Sequence, residues 1–75
     1  MEYLLSNAPI NKQLKITKIL DVSDKLLHRF SELGIIIGQK VTVMCSPTSK
    51  SRVICIRGYT LALDITLCQR VVVYG

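Results

Sequence analysis

Between Leu26 and Val43 the chain changes its hydrophobic period, and that change limits what it can fold into. Leu26, Leu27, Phe30 and Leu33 recur at the spacing of one helical face and predict a packed core stripe. Gly34 ends the stripe, three isoleucines follow, and after Gly38 the apolar residues alternate as in a half-buried strand. Asp21, Ser23 and Asp24 offer a helix N-cap and negative charge at the positive end of the helix dipole. Gly34 stands where a left-handed residue would close the last turn. One short helix therefore runs directly into a strand.

The rest reads as short strands. "QLKITKIL" (Gln13 to Leu20) alternates at Leu14 and Ile16, then breaks at Ile19 and Leu20, which predicts a bulge or strand end near Lys18. "KVTVMC" (Lys40 to Cys45) and "RVICIR" (Arg52 to Arg57) read as two strands joined by a long polar loop, "SPTSKS" (Ser46 to Ser51). Gly58 permits a tight turn into "YTLAL" (Tyr59 to Leu63), and "DITLCQ" suits one helical turn before "RVVVY" (Arg70 to Tyr74). "INKQLKI" (Ile10 to Ile16) and "IGQKVTV" (Ile37 to Val43) echo one another, with Asn11 and Gly38 at the position that would need positive φ. The expected fold is mainly β: a small closed barrel of about five strands, with a short helix after the first and a helical turn before the last.

At 75 residues the chain has room for one core, so residues 1–75 are expected to form a single domain. No apolar run approaches the roughly 20 residues that span a bilayer. The N-terminus lacks a basic segment followed by a long apolar one, so a cytoplasmic location is expected. Three cysteines, an odd number, suit free thiols better than a disulfide framework. Cys45 and Cys55 extend strand alternation and are expected in the core, as is Cys68 in the last turn. With His28 they contain metal-binding atom types, but no Cys-x-x-Cys knuckle sets a ligand geometry.

The acidic residues are five, scattered between elements, and there is one histidine and no nucleophile motif, which speaks against an enzyme. No phosphate-binding loop signature is present, so the chain itself is not expected to bind GTP. The net charge of +5 suits an acidic partner. A small basic nucleic-acid-binding barrel is one alternative, although the four aromatics do not interleave with the basic residues as a stacking platform would. A metallochaperone using the thiols and His28 is another. The candidate contact surface lies on the helix and its exit. Lys25, His28, Arg29 and Glu32 share the face opposite the core stripe, and one or more of the isoleucines, Ile36 and Ile37 among them, should reach the surface.

"RFSELGIIIGQKVTV … VICIRGYTLALDITLCQRVVVYG" resembles the ferrous iron transport protein A (FeoA) family, small cytoplasmic companions of the bacterial ferrous iron permease. The matching features are Arg29, Leu33, Gly34, Ile35 and Gly38, then Val53 to Ile56, Arg57, Gly58, Leu61 to Leu63, and the strand Val71 to Val73. The chain departs from the family pattern at Asn11, Ile37, Asp64 and Cys68, and "SPTSKSR" replaces a Gly-Asp-Pro-like hairpin loop. The resemblance implies an SH3-like barrel, without cofactor, that binds the nucleotide-binding cytoplasmic part of a membrane GTPase-type permease. It implies neither membrane insertion nor nucleic-acid binding.

Overall fold

Residues 1–75 are all described in a computed structural model, as one antiparallel sheet of six strands. In chain order these are β1 (Glu2–Leu4), β2 (Gln13–Ile19), β3 (Lys40–Thr48), β4 (Ser51–Ile56), β5 (Tyr59–Asp64) and β6 (Val71–Tyr74). They lie side by side in the order β1-β6-β2-β3-β4-β5. Helix α1 (Asp24–Glu32) joins β2 to β3, α2 (Ile65–Cys68) joins β5 to β6, and a 3-10 turn (Leu5–Asn7) follows β1.

Alternation decides what is inside. Leu14 and Ile16 of β2, Val41 and Val43 of β3, Ile54 and Ile56 of β4, and Val71 and Val73 of β6 are almost wholly buried. Phe30 of α1 and Ile35 close one side of this core. The expected irregularity in β2 is present, as a register shift between Ile16 and Lys18 against β6. Asn11 and Gly38 both have positive φ, and each leads into a strand: Asn11 N–H donates to Val43 O (2.8 Å) and Gly38 N–H to Ile16 O (2.7 Å).

Three features differ from the sequence expectation. The sheet has a sixth strand, β1, whose three residues pair with β6 and are too few to show a period. The long loop at Ser46 to Ser51 is instead strand and tight turn, because β3 continues to Thr48, which pairs with Ser51. Cys45 is exposed and Cys55 half-buried, so neither is a core residue. A bulge between Val43 and Cys45 turns the latter to the outer face, while Cys55 lies between the inward-facing Ile54 and Ile56. Cys68 is fully buried as expected, and burial pushes its thiol pKa up to about 11.

Arg52 is the exception to an apolar interior. It occupies an inward position of β4 and is buried, with Nη1 donating to Leu5 O (2.6 Å) and Ala8 O (2.9 Å) and Nε donating to Ser46 Oγ (2.7 Å). These bonds fasten the segment after β1 to the β3–β4 hairpin.

Candidate partner-binding surface

The surface is built by the way α1 begins and ends. Ser23 Oγ accepts from Leu26 N–H (3.2 Å), and Asp24 occupies the first turn. At the far end Gly34, at φ 87°, donates to Ser31 O (3.1 Å), and Ile35 N–H donates to Phe30 O (2.8 Å). That pair of bonds is a Schellman motif, with its apolar contact supplied by Phe30 and Ile35. The hairpin between β4 and β5 holds the same end: Tyr59 Oη donates to Leu33 O, and the stem of Arg57 lies where a side chain on Gly34 would have to go.

Once the Schellman motif has buried Ile35, the next residues turn outward. Gln39 N–H donates to Ile36 O (3.1 Å) across a turn with Gly38 at φ 94°, so Ile37 occupies its second position and Gly38 its third. This is a turn and not a strand, so the isoleucines do not alternate. Ile36 is 43% and Ile37 65% exposed.

Leu27 corrects the sequence expectation. It belongs to the apolar stripe, but only Phe30 is fully buried and Leu26 and Leu33 are half-buried, whereas Leu27 is 44% exposed. Leu27, Ile36 and Ile37, with Ile19 of β2, line a groove of about 440 Å³ whose floor includes Ile35 and whose rim carries Asp24, His28 and Ser31. A second, polar depression of about 390 Å³ on the other side of the helix is lined by Lys25, His28, Arg29 and Glu32. The six candidates thus fall into two neighbouring sets that share His28. Its Nε2 lies 3.7 Å from Glu32 Oε1, with both side chains largely in solvent. The sequence placed Asp24 at the helix cap, Leu27 in the core stripe and Ile19 at the break in β2, none of them as a surface contact. A stripe only one residue too wide for its helix was the available sign for Leu27.

No group of three His, Cys, Asp or Glu side chains converges where it could hold a metal ion, and no helix is long and apolar enough to cross a membrane. Residues 3–74 match the sequence model of the FeoA domain. No curated protein matches the chain in sequence. Among solved structures it is similar to an iron uptake regulatory protein (FeoA), at 22% identity and TM-score 0.89, covering 99% of this chain and 97% of that one. It is also similar to the zinc-complexed FeoA of Stenotrophomonas maltophilia, a prokaryotic SH3 domain protein, at 26% identity and TM-score 0.76, covering 97% and 88%. A manganese-dependent transcriptional repressor has the same fold over 41% of its own length and 99% of this chain, at 17% identity and TM-score 0.87. The fold is a small SH3-like barrel, as expected from the sequence, except that strand pairing does not close it: β1 and β5 stand at the two ends of the strand order and do not pair.

Proposed function

Because the chain belongs to the FeoA domain family, which is associated with ferrous iron transport, we propose that it is a one-domain, non-catalytic adaptor of ferrous iron uptake. Its partner is the nucleotide-binding cytoplasmic region of the ferrous iron permease, and it works in the cytoplasm at the inner face of the membrane. The Stenotrophomonas maltophilia relative is itself put forward as a bacterial ferrous iron transport activating factor. The observation that carries the proposal is the exposure of Leu27, Ile36 and Ile37 around one groove. Single exposed aliphatics need no explanation, but three converging on a concavity with a polar rim have the composition of a contact centre.

In this adaptor Leu27, Ile36 and Ile37 are the anchors, and Lys25, His28, Arg29 and Glu32 set orientation from the rim. Leu27→Asp should weaken binding by about 2 kcal/mol, roughly thirtyfold in Kd. It should alter folding stability by only about 0.5 kcal/mol, since the side chain is already half in water. Calorimetric titration of the permease's soluble cytoplasmic region checks the first arm, and urea denaturation of the variant checks the second. Equal affinity of the variant and the original chain would contradict the assignment.

Three of the four aromatics offer the nucleic-acid alternative no stacking platform, and Tyr74, 57% exposed on β6, stands without a second ring to extend one. Phe30 is in the core, Tyr3 packs against it, and Tyr59 is hydrogen-bonded to the end of α1.

A further inference from the structure

Two local rules are broken close together, on the outer face of the sheet away from the groove beside α1. Lys15 of β2 and Lys40 of β3 are directly opposite one another, an antiparallel pairing of like charges that destabilises a sheet. Both are exposed, and the molecule's one close contact between a basic and an acidic side chain is His28 with Glu32, so no carboxylate offsets them. Nearby, Arg57 (φ 53°) and Gly58 (φ 84°) form the two-residue turn between the paired Ile56 and Tyr59, a hairpin geometry that requires positive φ at both places, and an arginine stands at the first, where Asn, Asp or Gly is the usual choice. Local violations that converge on one place are the expected mark of a site.

The same place is concave. A depression of about 270 Å³ is lined by Gln13, Gln39, Lys40, Thr42 and Arg57, with the turn at Gly58, and no acidic residue takes part. Lys15 borders it through Lys40, and Tyr74, the β6 neighbour of Lys15, stands 57% exposed beside it. The stem of Arg57 rests on Gly34, where even a Cβ would approach Cδ to 2.6 Å, so the guanidinium is held from behind. Ammonium, guanidinium, amide and hydroxyl groups together supply many donors. A single carboxylate would leave most of the positive charge uncompensated. A phosphate group, with more negative charge and at least three accepting oxygens, matches the set better.

We propose that the depression lined by Lys40 and Arg57, with Lys15 paired to Lys40 on the neighbouring strand, is a binding site for a phosphate group, presented either by a small soluble molecule or by an anionic lipid headgroup. The site does not depend on the surface beside α1. Binding relieves the repulsion between Lys15 and Lys40, which gives the proposal a signature that an ordinary basic surface lacks.

The test uses the full chain in chloride buffer at constant ionic strength. Pyrophosphate is the soluble probe, and phosphatidylcholine vesicles with and without phosphatidylglycerol are the membrane probe. Saturable backbone amide shifts at Gln13, Lys15, Lys40 and Arg57, with a raised Tm, support a soluble source. Sedimentation with the phosphatidylglycerol vesicles alone, lost in Lys40→Gln, supports a headgroup source. Lys15→Gln, or Lys40→Gln if the first folds poorly, should raise the Tm of the free protein and cancel the rise caused by pyrophosphate. The proposal is overturned if neither probe binds. Shifts of equal size at Lys12, Lys50 and Arg70, or an unchanged response in both variants, would overturn it as well.

Discussion

Arg52 occupies a place that strand alternation reserves for an aliphatic residue, and its hydrogen bonds explain why it can. Its guanidinium satisfies the Leu5 and Ala8 carbonyls, which the 3-10 turn leaves without strand partners. Arg52→Met keeps the apolar stem and removes the donors, so it should cost about 1–3 kcal/mol, because Ala8 O is left unpaired while Leu5 O keeps only the 3.4 Å bond from Ala8 N–H. A fall in the urea midpoint at unchanged slope would register that loss. Cys68 allows a pH prediction. Its thiol pKa rises from 9.0 to about 11 on burial, so the folded state holds this proton more tightly than the unfolded chain. That contribution is fully present below about pH 9 and disappears as pH climbs through 11, a loss of up to about 3 kcal/mol. Denaturation curves between pH 8 and 11, compared with those of Cys68→Ala, isolate it. Thiol labelling at neutral pH should modify Cys45 first and Cys68 last, given their exposures.

At the scale of elements, much of the fold was legible in the sequence where one period ran long enough. The helix, its glycine end, the positive φ at Asn11 and Gly38, and the irregularity near Lys18 could all be read from residue order. What could not be read depended on the third dimension. The bulge that exposes Cys45 shifts the register by one residue and reverses every inference from alternation beyond it. Leu27 fits the apolar face of an isolated helix, but the barrel covers only the part of that face around Phe30. For Arg52 no sequence signal existed, since the carbonyls that accept from its Nη1 are more than forty positions away. The end of α1 yields two predictions. Tyr59→Phe removes the hydroxyl that donates to Leu33 O and should lower stability by about 1 kcal/mol, with faster amide exchange concentrated in α1. Ile37→Pro places proline at the second position of a turn that favours it, and Ile37 N–H makes no backbone hydrogen bond. This variant should gain about 0.4–1 kcal/mol in stability while weakening partner binding.

For the whole molecule, the SH3-like barrel serves as a rigid support with two differently furnished surfaces. The exit of α1 presents aliphatic residues around a groove, and the outer face of β2 and β3 presents unpaired cations. The net charge of +5 assists approach to an acidic surface, but the groove is where specificity would reside. The family resemblance read from the sequence and the FeoA domain match over residues 3–74 agree on the kind of protein this is. The groove proposed as its contact surface came into view only when Leu27 and Ile19 were seen beside Ile36 and Ile37. A backbone amide NMR titration with the permease's nucleotide-binding cytoplasmic region tests the central claim most directly. The account predicts saturable shifts centred on Ile19, Leu27, Ile36 and Ile37, with weaker ones at Lys25, His28, Arg29 and Glu32. Shifts confined to the β3–β4 hairpin around Lys50, or none at all in every nucleotide state of that region, would contradict it.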